Sequence, residues 1–134
     1  MGAGGGLVKV FVVVEDEPDM RLLIGITLGR DRRLEQLGEA SSAAEALDVL
    51  DAIEPGIIIL DHGIEGDIMG LQAAPLIKAK APGAIILLFT AFDMAAEAAA
   101  EPAVDGFLRK DHLHLLLPTV QSLVGIGPSR PGPP

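Results

Sequence analysis

The sequence predicts an α/β domain, a doubly wound five-stranded parallel sheet with five helices. Three observations carry this. Short apolar runs with no polar alternation, such as Val10 to Val14 and Ile57 to Leu60, recur along the chain. Continuous apolar runs are what strands buried on both faces require. Between them lie segments with helical apolar spacing, and Pro/Gly turns such as "EPG" (54–56) and "APG" (81–83) separate the units. The alternation of strand and helix then implies a parallel sheet covered on both faces.

The elements follow in order. Residues 1–6 are a Gly-rich leader, expected to be flexible. Residues 7–14 form the first strand, and 18–30 a helix with Pro18 at its first position. Met20, Leu23, Ile24, Thr27 and Leu28 share one face of that helix. A weaker strand, expected at an edge, covers 33–38. Ser42 and Glu45 make a capping-box pattern that opens a helix to about residue 53. Ile57–Leu60 is the third strand, followed by a glycine-rich loop and a helix within 70–80. The fourth strand covers 84–89, a short alanine-rich helix 93–100, the fifth strand 104–108 and the last helix 112–124. Pro75 and Pro118 fall inside two helical patterns, and a mid-helix proline costs about 3 kcal/mol. A late start, with proline in the first turn, is expected for both. The folded unit is therefore expected over 7–124, and the Pro/Gly-rich 125–134 reads as a disordered tail. Short connections predict strands lying side by side.

Composition narrows the function. The 134 residues suit one domain, and 49% are apolar. A net charge of −9 repels phosphate backbones, which argues against direct nucleic-acid binding. There is no Trp or Tyr for stacking platforms. No apolar run reaches the roughly 18 residues that cross a bilayer, and "MGAGGGLVKV" (1–10) does not read as a secretory signal. The absence of cysteine removes disulfides and thiolate metal sites and fits a cytoplasmic location. "GAGGG" (2–6) precedes a strand and opens no helix, so it is no dinucleotide fingerprint.

In such a sheet the site lies at the carboxyl ends of the strands. The tips carry Glu15 and Asp16 after the first strand, Asp61 after the third, Thr90 after the fourth and Lys110 after the fifth. Grouped carboxylates suit a hard divalent cation, Mg²⁺ or Mn²⁺. A hydroxyl and an ammonium beside it suit a phosphoryl group.

In this pattern the chain resembles the CheY-like receiver domains of two-component response regulators, which have a flavodoxin-like fold. The resemblance covers about residues 7–124. It rests on "VVVEDE" (12–17), "IIILD" (57–61), "LLFTA" (87–91) and "GFLRKD" (106–111), in that order. By that resemblance Asp61 is the phosphoacceptor, served by a sensor histidine kinase or a histidine phosphotransfer protein. Asp16 binds Mg²⁺ directly and Glu15 assists. Asp61 and the Gly63 carbonyl complete the protein ligands. Thr90 and Lys110 receive the phosphoryl oxygens, and Phe107 stands where the family has a switch aromatic. Such a domain is not an enzyme acting on other substrates; it catalyses only its own phosphorylation and a slow autodephosphorylation.

The departures matter. The loop after Asp61 lacks the family's usual residues, and Gly63, Gly66 and Gly70 make it permissive. Asp111 follows Lys110 where the family has proline. Gly63 and Phe92 occupy the positions that orient the hydrolytic water in the family, which implies a long-lived acyl phosphate. The three histidines, His62, His112 and His114, read as surface residues. With no effector domain visible, the expectation is a stand-alone receiver that signals by protein–protein contact with an unknown downstream protein. The apolar last helix is a candidate homodimer or partner face. The rival reading is a phosphorylation-independent interaction module on the same fold. A haloacid-dehalogenase-like phosphohydrolase requires a second Asp where Gly63 stands.

Overall fold

The structure is a computed structural model that describes residues 8–128. The leader 1–6 and the end of the tail, 129–134, lie outside the described residues. The strands are β1 (Lys9–Val14), β2 (Leu34–Ala40), β3 (Ile57–Leu60), β4 (Ile85–Thr90) and β5 (Gly106–Arg109). The helices are α1 (Pro18–Gly29), α2 (Ala43–Leu50), α3 (Gly70–Lys80), α4 (Ala95–Ala100) and α5 (Leu116–Leu123). A 3-10 segment, Lys110–Leu115, joins β5 to α5.

All pairings are parallel, in the order β2-β1-β3-β4-β5. The weak strand β2 is an edge, as its polar sequence predicts. Side-by-side order fails at one place. β1 lies between β2 and β3, because the winding reverses after β2. Right-handed crossovers in opposite directions must put their helices on opposite faces. The reversal between β1 and β3 is the topological switch point.

Strand periodicity splits the core in two. Val12, Val14, Ile58, Leu60, Ile86 and Leu88 pack against Ala43, Ala46 and Leu50 of α2 and Ala73, Ala74 and Ile77 of α3. Phe11, Val13, Ile57, Ile59, Leu87 and Phe89 pack against Ile24 and Leu28 of α1 and Leu116 and Val120 of α5. Successive strand residues point to opposite faces, so an unbroken apolar run supplies both layers.

Helix boundaries show where local rules held. Ser42 caps α2 by accepting from the Glu45 backbone N–H at 3.1 Å. Glu45 itself turns to Ser41, whose hydroxyl donates to its carboxylate at 3.2 Å, so the reciprocal half of the box is not made. On α1, Ile24, Thr27 and Leu28 are buried, while Leu23 of the expected face is partly exposed. Pro118 lies in the first turn of α5 after the 3-10 segment, the late start expected. Pro75 instead sits inside α3. The start of α3 is fixed elsewhere: the Gly70 N–H donates to the His62 carbonyl, and a Cβ on Gly70 would collide with the Asp61 carbonyl oxygen. Pro75 is exposed and lacks the N–H that would bond the Leu71 carbonyl.

The first tail residues touch the domain. The Ile126 N–H donates to the Gln121 carbonyl, Ile126 packs against the α1/α5 core, and Arg33 Nη2 donates to the Gly127 carbonyl at 2.6 Å.

Candidate phosphoacceptor and cation site

Register places the site. Val14, Leu60, Leu88 and Phe107 form one row across the sheet. Glu15 and Asp61 are the next residues on β1 and β3, and Thr90 ends β4. Lys110 begins the turn after β5. Four sequence-predicted residues therefore reach one edge, where the strands end.

The carboxylates converge. Glu15, Asp16 and Asp61 each offer an oxygen within 4.8 Å of the others. Lys110 Nζ donates to Asp61 Oδ2 at 2.9 Å and lies 2.5 Å from Glu15 Oε1. Glu15 is only 1% exposed, yet Oε1 receives no aligned hydrogen bond. Its other oxygen accepts from the Glu17 N–H at 3.1 Å. Burial is the main influence on the Glu15 carboxyl and pushes it up to about 6; the charge of Asp61 adds to this, while Lys110 and the Glu17 N–H oppose it. Burial alone would lower the Lys110 pKa, but its bonds to Glu15 and Asp61 outweigh that and raise it. Lysine is thus held charged between two acids.

Three converging carboxylates that share a single ammonium fit a hard cation. Glu15, Asp16 and Asp61 are the residues that would hold it. Gly63 belongs to the loop that follows. A Cβ built on Gly63 would stand 3.9 Å from Asp61 Oδ2 and 3.6 Å from Phe92 Cε2. Phe92, 53% exposed, therefore lies near Asp61. Thr90 is fully buried, and its hydroxyl meets the Phe92 N–H at a long 3.5 Å. Phe107 is half-buried and lines a cavity of about 210 Å³ with Ala95, Ala98 and Ala99 of α4.

The glycine-rich loop is better held than its composition implies. The Glu65 N–H donates to the Ser41 carbonyl, and Ile64 is buried. The His62 carbonyl accepts from the N–H groups of both Ile64 and Gly70. Gly66 has φ +101°, which only glycine adopts readily. His62, read from sequence as surface, is half-buried. Its Nδ1 accepts the Leu71 N–H at 3.1 Å and caps α3, and its ring meets Phe92 edge-on at 5.9 Å. Its place eight residues before α3 gave no periodic cue to this. His112 and His114 are exposed, as expected.

Sequence reasoning also passed over Arg21. It lies off the apolar stripe of α1, and its guanidinium donates from Nη1 to the Glu15 carbonyl at 2.9 Å.

A family model described as the response regulator receiver domain matches residues 11–120. The chain belongs to that family. Among curated relatives, a protein-glutamate methylesterase/protein-glutamine glutaminase of Anaeromyxobacter dehalogenans is 41% identical over 78 residues, 58% of this chain and 22% of that protein. The DNA-binding transcriptional activator DevR/DosR of Mycobacterium tuberculosis is 31% identical over 92% of this chain and 57% of its own length. The receiver thus spans less than two thirds of these relatives. Among solved structures, the signal receiver domain of a NarL regulator from Mycobacterium tuberculosis has a TM-score of 0.79 at 26% identity, covering 89% of this chain and 98% of that one. Thermotoga maritima TrrA, solved with Mg²⁺ and BeF, has a TM-score of 0.72 at 30% identity, covering 87% and 99%. Among the described residues of the receiver, no helix is long and apolar enough to cross a membrane.

Proposed function

We propose that the receiver is a Mg²⁺-dependent (or Mn²⁺-dependent) phosphoacceptor that takes a phosphoryl group onto Asp61. The donor is the phosphohistidine of a sensor histidine kinase or of a histidine phosphotransfer protein, in the cytoplasm. The output is a protein–protein contact of this domain. The observation that carries the reading is the Lys110 ammonium set between Asp61 and Glu15 at an edge where three carboxylates converge.

When bound, the cation supplies positive charge that offsets the acids and the phosphoryl oxygens. The chain's own residues do the rest. An Asp61 carboxylate oxygen attacks phosphorus, the phosphorus–nitrogen bond of the donor breaks, and the electron pair leaves with the imidazole. Lys110 balances charge on the transferring group, and the Thr90 hydroxyl donates to one of its oxygens. Thr90 and Phe107 are the switch pair in this reading, and the cavity beside Phe107 gives its ring room to change rotamer. Gly63 offers no side chain to position water, and Phe92 presents an apolar ring beside the acceptor. The acyl phosphate is accordingly slow to hydrolyse. The domain acts on no other substrate.

The test is incubation with a small-molecule phosphoryl donor and MgCl₂, read by intact mass. Wild-type protein gains one phosphoryl group and Asp61→Asn gains none. No uptake by wild type from any donor would support the phosphorylation-independent module instead. The DNA-binding and methylesterase activities named for relatives belong to those longer proteins.

A further inference from the structure

Arg21 is out of place by local rules. It lies in the first turn of α1, where the helix dipole disfavours a cation. Its partners explain the choice. Nη1 donates to the Glu15 carbonyl at 2.9 Å, and Nε faces Glu39 Oε2 of β2 at 3.4 Å. The side chain is largely covered. The Glu15 carbonyl is the first on β1 beyond the paired residues, so without Arg21 it would lack the partner a sheet neighbour gives earlier carbonyls. The Glu15 N–H donates to the Ala40 carbonyl, and the Glu15 carboxylate accepts from the Glu17 N–H. The turn 15–17 is thus tied at three points, with Asp16 at its centre.

We infer that Arg21 is a positioning residue for the cation site: by gripping the Glu15 carbonyl it aims the Glu15 and Asp16 carboxylates at Asp61. This rests on the reading of those three acids as a cation site. It requires arginine rather than any positive charge, because only a planar fork reaches a carbonyl and a separate carboxylate at once.

The sign of one measurement separates positioning from electrostatics. Removing a cation near three acids makes the site more negative, so charge alone predicts tighter Mg²⁺ binding in Arg21→Met. Loss of positioning predicts weaker binding, by about tenfold or more, as for other residues that orient metal ligands. Mg²⁺ affinity is measured by calorimetric titration of wild type, Arg21→Met and Arg21→Lys, with metal-free melting as a folding control. Weaker binding in both folded variants is expected, with displaced amide resonances for Asp16 and Glu17. A merely structural arginine would lower the melting temperature and leave the affinity of the folded protein unchanged. Arg21→Met binding as tightly as wild type, or more tightly, overturns the inference. If that variant does not fold, Arg21→Lys decides, and wild-type affinity there overturns it equally. Absence of Mg²⁺ and Mn²⁺ binding by the wild type itself sinks the cation-site reading, and the role of Arg21 with it.

Discussion

Two buried acids, one near each end of the sheet, are handled in opposite ways. Asp31, 4% exposed, lies before β2. Its Oδ1 accepts from the Arg33 N–H at 2.9 Å and Nε at 3.0 Å, and its Oδ2 from Arg33 Nη2 at 2.7 Å and Gln121 Nε2 at 2.9 Å. Glu15, still more buried, has one backbone donor and a lysine shared with Asp61. A buried carboxylate with its donors in place is a clasp; here it ties β2 to α5 and, through Arg33, to Gly127. A buried carboxylate short of donors, beside two more acids, is held under electrostatic strain that a cation would relieve. Burial alone does not mark a functional acid. The shortfall in partners is what sets Glu15 apart from Asp31.

The largest effect should come from breaking the clasp. Asp31→Ala removes the buried carboxylate to which Arg33 and Gln121 donate and should cost about 3 kcal/mol in denaturant unfolding. It should leave Mg²⁺ affinity unmoved, and a change there would erase the contrast between the two acids.

The strained site should respond to metal instead. At Mg²⁺ about 100-fold above its dissociation constant, stability should rise by about 2.7 kcal/mol. Asp16→Asn should remove most of that rise, read as a shift in melting temperature. Wild-type melting that ignores Mg²⁺ well above millimolar would mean the acid cluster is no cation site.

A smaller effect is the pH response of Glu15. Its pKa is raised from 4.5 to about 6 in the folded protein, so the folded state binds the proton more tightly than the unfolded chain. In metal-free protein, the stability from this group is complete below the unfolded value and is lost as pH rises through about 6, on the order of 1–2 kcal/mol. Protons compete with the cation for the same oxygens, so apparent Mg²⁺ affinity should fall as pH drops below about 6. Glu15→Gln should flatten both dependences. Equal profiles in variant and wild type would show that another group titrates.

The smallest expected effect concerns water at the open edge. Phe92→Glu replaces an apolar ring beside Gly63 and Asp61 with a group that can orient water. Loss of phosphate should quicken by about tenfold, equivalent to ~1.4 kcal/mol of barrier. An unchanged decay would count against Phe92 as a cause of slow hydrolysis.

The sequence by itself determined the alternation of elements, the burial of both sheet faces and the identity of Glu15, Asp16, Asp61, Thr90 and Lys110 as strand-tip residues. These follow from local periodicity and from where apolar runs stop, and neither needs long-range information. Only the tertiary structure decided the rest. Strand order depends on which way each crossover turns, and the placement of β1 between β2 and β3 is written in no single segment. The sequence marks Pro75 and Pro118 alike, yet the close approach of Gly70 to Asp61 fixes α3 early, while the 3-10 segment lets α5 start late. His62 became a helix cap and Arg21 a brace for Glu15 through bonds to groups on other elements. Nor did the chain show how many donors each of the acids at 15 and 31 would meet. Their difference is a count of donors, and donors arrive from wherever the fold brings them.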